Sequence, residues 1–122
     1  THVLKEIIKD KEFPDRDAIF AAFGHFTAQL HEQGMLHADY SMGNVLFEPN
    51  EKGVDFQLVD LNRMRFGKKI NCHKGCQNFE RIDTDAHALS VIARAYAQAR
   101  GFDEEECVRL VLKMRWRKHK KN

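Results

Sequence analysis

The chain has 122 residues, of which 43% are hydrophobic and 31% are charged, and its formal net charge is +2. This composition excludes an intrinsically disordered or low-complexity chain, and the length predicts a single domain spanning residues 1–122. No stretch comes near the ~20 consecutive apolar residues of a membrane-spanning helix. The three cysteines form an odd set without a secretory signal, which predicts reduced thiols and a cytoplasmic location.

The basic residues are unevenly distributed along the chain. Residues 113–122 hold six lysines and arginines and no acidic residue, which leaves 14 basic against 18 acidic residues, a net charge of −4, in residues 1–112. A nucleic-acid-binding domain would spread its cations over one face, so we expect no nucleic-acid partner. The basic tail is either the solvated end of a helix or a contact to an anionic membrane surface. Trp116 within it either enters such an interface or packs against protein.

Two helical segments are predicted in the first third of the chain. Residues 3–9 are apolar at helical spacing over a short run. Pro14 and Asp15 then mark the start of a longer helix, which Gly34 ends. The apolar residues of this longer helix recur every three or four positions and are predicted to pack in the core: Ile19, Phe20, Phe23, Phe26, Thr27 and Leu30.

A β-hairpin is predicted next. Residues 45–47 form a short apolar run, residues 49–53 form a turn cluster, and residues 54–58 alternate between apolar and polar side chains. Residues 61–81 show little periodicity, which predicts an extended loop. A loop of that length is uncommon in a compact domain unless it is functional.

Two more helices are predicted in the last third. Asp83 to Asp85 cap the first of them, and Gly101 ends it. Asp103 stands three residues before Glu106, which is the spacing of a helix start. The predicted fold class is therefore α+β and mostly helical.

The most informative segment is HADYSMGNVLF, residues 37–47. Asp39 stands five residues before Asn44, on a loop between the long helix and the hairpin. Asp60 stands at the end of the second hairpin strand, in LVDLNRMR, residues 58–65. Pairing of the two strands would bring Asn44 and Asp60 face to face, with Asp39 just in front of them.

Phosphoryl transfer requires side chains of these types. Mg²⁺ takes hard oxygen ligands and is usually held by one or two protein ligands, with phosphates and water completing its shell. Asp60 and the amide oxygen of Asn44 meet that need, and a second acid such as Asp39 can orient an attacking hydroxyl.

The pattern H-x-D-x-x-x-x-N, followed by a hairpin and then Asp60, resembles the catalytic and metal-binding loops of the protein-kinase-like superfamily. Within it, HADYSMGNVLF and LVDLNRMR are most similar to the bacterial lipopolysaccharide kinases, which phosphorylate core sugars such as 3-deoxy-D-manno-octulosonic acid (Kdo) or heptose. The basic segment RWRKHKK, residues 115–121, is also similar to the tails of these kinases. The resemblance implies the C-terminal lobe of a kinase-like fold and an ATP-dependent phosphotransferase at the cytoplasmic face of the bacterial inner membrane.

The resemblance also implies a role for each matching residue. Asp39 matches the catalytic base, and Asn44 and Asp60 match the Mg²⁺ ligands that hold ATP. His37 matches a histidine that mainly supports the catalytic loop. Arg63 is either a plain surface or loop-supporting arginine or a contact to a phosphate. The implied acceptor is a sugar or a lipid-linked sugar.

Three departures from the kinase pattern shape these expectations. Ser41 replaces the lysine that protein kinases carry two residues after the base, which favours a small-molecule or sugar acceptor, and Asp60-Leu61-Asn62 replaces Asp-Phe-Gly. No glycine-rich loop or strand lysine precedes the motif. We therefore expect a fragment that lacks its N-terminal lobe, has little activity alone and self-associates through exposed apolar surface. The alternatives are a kinase for another small molecule or a protein, a pseudokinase docking module, and a plain helical interaction domain.

A second, weaker candidate is a zinc site formed by Cys72, His73, Cys76 and His87. Its spacing is irregular, so ordinary loop thiols are the favoured interpretation. Cys107 lies on the apolar side of the last helix and is predicted to be a buried small side chain.

Overall fold

A computed structural model describes residues 1–120, with side chains as far as Lys118. It is α+β and 55% helical, with small antiparallel sheets, as the sequence predicts. The described residues form five α-helices: α1 (Leu4–Lys9), α2 (Arg16–Glu32), α3 (Cys72–Gln77), α4 (Ala86–Arg100) and α5 (Glu104–Lys120). They also form five short strands: β1 (His2–Val3), β2 (Leu36–His37), β3 (Val45–Asn50), β4 (Gly53–Leu58) and β5 (Met64–Arg65).

Helices α2 and α4 form the centre of the helical layer. The side-chain oxygen of Asp85 accepts a hydrogen bond from the Ala88 N–H at 2.8 Å, so α4 begins where the sequence predicts. Gly24 of α2 lies against the backbone of α4, and a Cβ at this position would collide with the Ile92 carbonyl oxygen. The close approach of the two helices therefore requires glycine at position 24.

The predicted hairpin is present, and its register is set by aromatic packing. β3 pairs antiparallel with β4, with Phe47 opposite Phe56, and β1 adds to the outer edge of β3. Phe23 of α2 packs against Phe56 at 5.9 Å between ring centroids, so the hairpin lies on the aromatic side of α2. Phe26 stacks on the same ring at 5.1 Å. Ile19, Phe20 and Phe23 thus lie in the core and Phe26 packs against it, as predicted, whereas Leu30 is half-buried and lies outside the core cluster.

The prediction of a loop over residues 61–81 is wrong. The segment contains a 3₁₀ turn (Leu61–Arg63), strand β5 and helix α3. β5 pairs with β2, in which His37 lies opposite Met64, 27 residues later in the chain. The periodicity of a single segment carries no information about so distant a partner strand. α3 has six residues, which is too few for a helical repeat to be recognised in the sequence. Asn71 begins α3 by accepting a hydrogen bond from the Lys74 N–H.

The basic tail continues helix α5. Arg115 donates a hydrogen bond to the Thr84 carbonyl oxygen at 3.0 Å, and the side chain of Trp116 is 60% exposed. Lys121 and the side chain of Lys120, which belong to the predicted basic tail, lie outside the described residues. No helix in the described part of the chain combines the length and the apolar character needed to cross a membrane.

Candidate active site

The loop that carries Asp39 is closed by its own backbone. The Ser41 N–H donates to the Asp39 carbonyl oxygen at 2.9 Å, and the Asn44 N–H donates to the Ser41 carbonyl oxygen at 3.0 Å. The side-chain amide of Asn44 also donates to the Asp39 carbonyl oxygen at 2.8 Å. Because Asn44 clamps the loop with both its backbone and its side chain, the position of the Asp39 carboxylate is well defined.

Strand pairing brings Asn44 next to Asp60. Val45 lies opposite Leu58 in the hairpin, and the Val59 N–H donates to the Asn44 carbonyl oxygen at 3.0 Å. Asp60 follows directly in the chain. The structure therefore brings together the two residues predicted as Mg²⁺ ligands, and the hairpin register explains why.

The backbone of Asp60 has an unusual conformation. Its φ of 59° and ψ of 55° lie in the left-handed region, which only one other non-glycine residue in the described part of the chain occupies. Aspartate tolerates this region better than most residues, at a cost of order 1 kcal/mol. The conformation turns the chain from β4 into the 3₁₀ turn, and the Arg63 side chain lies 3.9 Å from the Asp60 carboxylate. Arg63 thus contacts a predicted metal ligand.

His37 connects the two halves of the site. Its ring is fully buried, its Nδ1 accepts a hydrogen bond from the Asp39 N–H at 3.0 Å, and its Nε2 lies 3.0 Å from the Val59 carbonyl oxygen. The first bond makes Nδ1 the acceptor, so the proton must be on Nε2, which donates to Val59. One neutral ring therefore spans from the Asp39 loop to the residue before Asp60.

The Asp39 carboxylate is partly exposed and has a cationic neighbour. Its side chain is 37% exposed, and Arg81 donates to its Oδ1 at 3.3 Å. The Asn44 amide lies 3.4 Å from its Oδ2. No local pattern indicates a role for Arg81, because a basic residue in a segment without periodicity carries no signal of its own. Arg81 is the main functional candidate that sequence reasoning missed.

A buried chain of hydrogen bonds supports the loop from behind. Arg100 donates to the Tyr96 hydroxyl at 2.6 Å, and that hydroxyl lies 2.6 Å from His31 Nδ1. His31 Nε2 lies 2.9 Å from the Asn78 side-chain oxygen, and the Asn78 amide donates to the His37 carbonyl oxygen at 3.0 Å. Every donor in this chain of bonds has an acceptor when the hydroxyl donates to Nδ1. We call these four residues, Arg100, Tyr96, His31 and Asn78, the support network.

Burial keeps the support network neutral at His31. It lowers the pKa of His31 from 6.5 to about 4, because the protonated ring would lose its hydration without gaining a counter-ion. Burial also raises the pKa of Tyr96. No local pattern marks His31, and only the fold shows its partners, which are 47 and 65 residues away.

Tyr40 anchors the catalytic loop to α2. Its ring is buried and stacks on Phe23 at 5.4 Å between centroids, and its hydroxyl lies 2.6 Å from the Thr27 hydroxyl. Burial raises the pKa of Tyr40, so this hydroxyl stays protonated. Asp39 is thus placed by Tyr40 on one side and by His37 on the other.

The predicted zinc ligand set does not assemble. His87 lies on α4, where it forms a hydrogen bond with Asp17 at 2.9 Å, and His73 is not part of any cluster of potential metal ligands in the described residues. Cys72 and Cys76 lie on helix α3 rather than in a loop. The third member of their cluster is Cys107, which is buried as predicted.

The site as a whole offers oxygen atoms to a cation. The Asn44 amide donates through its nitrogen, which leaves its oxygen available, and the Asp60 carboxylate is 39% exposed. Carboxylate and amide oxygens are the ligands that Mg²⁺ prefers, so this donor set fits a magnesium ion. Asp39 lies across the same loop with its carboxylate reachable from solvent, which suits a group that orients or accepts a proton.

Comparison with known proteins is consistent with this chemistry. No curated protein matches the chain. The sequence profile of the lipopolysaccharide kinase (Kdo/WaaP) family matches residues 4–111, a span that includes the catalytic loop, the hairpin, the support network and the first half of α5. Because this match covers most of the chain, the protein belongs to the lipopolysaccharide kinase (Kdo/WaaP) family.

Proposed function

We propose that the protein transfers phosphate from ATP to a hydroxyl group of a lipopolysaccharide core sugar, Kdo or heptose. The chain would form the catalytic C-terminal lobe of a protein-kinase-like fold and act together with a nucleotide-binding N-terminal lobe. The observation that carries the proposal is the assembly of Asp39, Asn44 and Asp60 on one loop cluster, within a chain of the lipopolysaccharide kinase family.

Asn44 and Asp60 are the residues that would hold magnesium. The ion would neutralise charge on the phosphates of ATP and on the phosphoryl group during its transfer. The protein contributes two oxygen ligands at fixed positions, because the Val59–Asn44 hydrogen bond and the left-handed Asp60 set both backbones before anything binds. Preorganisation of this kind avoids a reorganisation cost during the reaction.

Asp39 orients the acceptor in this proposal. The hydroxyl oxygen of the sugar forms a bond to the terminal phosphorus of ATP, the bond from that phosphorus to ADP breaks, and the hydroxyl proton passes to Asp39. Arg81 donates to Oδ1 of the same carboxylate and the Asn44 amide lies 3.4 Å from Oδ2, so both oxygens are oriented while the carboxylate remains partly exposed to the hydroxyl. Positioning by such a group typically contributes about 10²–10⁴ in rate.

A basic groove beside Asp39 supports an anionic acceptor. The groove has a volume of about 600 Å³, and its charged lining consists of three cations, Arg81, Arg117 and Lys118, and one carboxylate, Glu80. Arg81 belongs both to this groove and to the ion pair with Asp39. A sugar acid such as Kdo carries a carboxylate that these cations could pair with, while its hydroxyl lies toward Asp39. The groove is therefore our candidate acceptor site.

The test is phosphate transfer from ATP to isolated lipopolysaccharide core acceptor by the full-length protein that contains this chain, with and without Mg²⁺. We expect transfer that needs both Mg²⁺ and the Asp60 carboxylate. Asp60→Asn is the informative variant, since asparagine also tolerates the left-handed backbone and the substitution removes only the charge. Asp55→Asn is the matched control, because Asp55 is an exposed acid on β4, the strand that precedes Asp60.

Two outcomes would contradict the proposed chemistry, and a third would contradict only the proposed acceptor. Equal transfer by wild type and Asp60→Asn would show that the Asp60 carboxylate is not a magnesium ligand. The absence of both transfer and nucleotide binding in the intact protein would favour a pseudokinase docking module. Transfer to another small molecule or a protein, but not to core sugar, would keep the chemistry and change the acceptor.

A further inference from the structure

The three cysteines of the chain meet at one point between helices α3 and α5. Cys72 and Cys76 lie one turn apart on α3, and Cys107 lies in the first turn of α5. Their sulfur atoms all lie within 4.8 Å of one another, and Cys72 Sγ is 3.5 Å from Cys107 Sγ. None of the three forms a disulfide. The cluster unites residues 31 and 35 positions apart, so it is a product of the fold rather than of local spacing.

The spacing of the sulfur atoms suits a thiophilic metal ion. In a tetrahedral zinc site with Zn–S bonds of about 2.3 Å, neighbouring sulfur atoms lie about 3.8 Å apart. The three sulfurs here already lie near that separation, so an ion could be accommodated by small side-chain adjustments. Cys76 and Cys107 are fully buried, whereas Cys72 is half-buried, which leaves one side of the cluster open for a fourth ligand.

Two other roles for these thiols, as nucleophiles and as small packing groups, explain the cluster less well than metal binding does. Cys76 and Cys107 are fully buried, so neither sulfur is accessible to a substrate as a nucleophile. Packing as small apolar groups would account for Cys76 and Cys107, but it does not require the half-buried Cys72 to share the same point.

The cluster also lies where a structural ion would be useful. α3 has six residues and contains Gly75, so its intrinsic helical stability is low. Directly after α3, Asn78 donates to the His37 carbonyl oxygen, and Arg81 pairs with Asp39. An ion that joins α3 to α5 would therefore hold the segment that supports the catalytic loop.

We propose that Cys72, Cys76 and Cys107 bind one zinc ion, with a fourth ligand from solvent on the open side, and that the ion fixes α3 against α5. This site is separate from the proposed magnesium site, and it is independent of the kinase proposal. Zinc binding would also convert the three thiols to thiolates with release of their protons.

The test is the metal content of the untagged protein purified under reducing conditions, followed by replacement of the metal with Co²⁺. We expect one zinc per chain, and for the cobalt form the thiolate-to-cobalt charge-transfer absorption and intense visible bands of a tetrahedral site. Removal of the ion with a chelator should lower the melting temperature, and added zinc should restore it. Zinc should also slow the alkylation of all three thiols.

Cys72→Ser is the informative variant. Cys72 is the one half-buried cysteine of the three, so the fold should tolerate a serine at this position better than at position 76 or 107. The variant should bind zinc at least tenfold more weakly than wild type. His73→Ala is the matched control, since His73 neighbours Cys72 on the same helix but lies outside the cluster, and it should bind zinc normally.

Several results would overturn the proposal. These are reduced wild-type protein that retains neither zinc nor cobalt, copper in place of zinc, and zinc binding unchanged in Cys72→Ser. A Cys72–Cys107 disulfide that persists in reducing buffer would also overturn it. The cobalt spectrum and the alkylation rates are measured on wild-type protein, so the conclusion does not depend on the folding of a variant.

Discussion

The two sides of the loop that carries Asp39 differ in exposure and in hydrogen bonding. The outer side carries Asp39 and Asp60, whose carboxylates are more than a third exposed and have only one or two contacts each. The inner side rests on the support network, in which buried groups are joined donor to acceptor as far as the His37 carbonyl oxygen. The two sides therefore differ in exposure: the carboxylates that we propose bind magnesium and the acceptor keep oxygen atoms open to solvent, while the groups that position the loop are hydrogen-bonded to one another.

The largest expected effect is on the outer side, at Asp39. Asp39→Asn keeps the shape of the side chain and removes its capacity to accept a proton. We expect the transfer rate to fall by about 10²–10⁴, with little change in the melting temperature because the side chain is exposed. Steady-state kinetics and circular dichroism melting measure the two effects. A large loss of stability would show that the outer side also supports the fold.

The inner side should respond to pH through His31. Its pKa is lowered to about 4 in the fold and is about 6.5 when unfolded, so the unfolded chain binds a proton that the folded chain does not. Its contribution is therefore complete above pH 6.5 and is lost as the pH falls toward 4, by up to about 3 kcal/mol.

His31→Gln removes this titration and keeps hydrogen-bonding capacity. We expect the difference in unfolding free energy between wild type and variant to be largest at neutral pH and to shrink toward pH 4. Urea unfolding followed by circular dichroism measures this difference. If the unfolding free energies of wild type and variant differ by the same amount at every pH in this range, His31 is either protonated or solvated in the folded protein.

A methyl group at Gly75 should damage the support network without touching the outer side. A Cβ at this position would collide with the Tyr96 hydroxyl, which connects Arg100 to His31. We expect Gly75→Ala to lower the unfolding free energy by about 1–3 kcal/mol. Gly43→Ala is the control, since a Cβ there meets no atom within 4 Å, and it should change stability by less than about 0.5 kcal/mol. Equal effects of the two substitutions would contradict the proposed importance of this contact.

The smallest expected effect concerns the groove beside Asp39. Arg117→Ala removes a cation that lines the groove but does not contact Asp39 in the structure. We expect KM for an anionic core acceptor to rise by up to about fivefold, with kcat nearly unchanged, because an exposed charge contributes about 1 kcal/mol or less. Lys113→Ala on the same helix is the control, since Lys113 does not line the groove. A KM unaffected by Arg117→Ala would place the acceptor elsewhere.

Local patterns predicted most of the fold correctly. The aromatic stripe of α2, the hairpin and the start of α4 at Asp85 were all predicted, because their signals lie within a few residues of chain. The loop predicted for residues 61–81 was wrong for the same reason. β5 is defined by its partner β2, and α3 is held by α5, so no local repeat marks either of them.

The sequence by itself determined the family and the three polar residues at the centre of the candidate site. Asp39, Asn44 and Asp60 follow from a motif and a hairpin, which fix their relative positions through short-range backbone geometry. The tertiary structure alone decided the partners of these residues: Arg81 beside Asp39, the support network, and the meeting of Cys72 and Cys76 with Cys107. Apart from the Arg100–Tyr96 bond within α4, those contacts join residues 31 to 65 positions apart. The packing of α2 on α4, of α4 on α5 and of α5 on α3 brings them together.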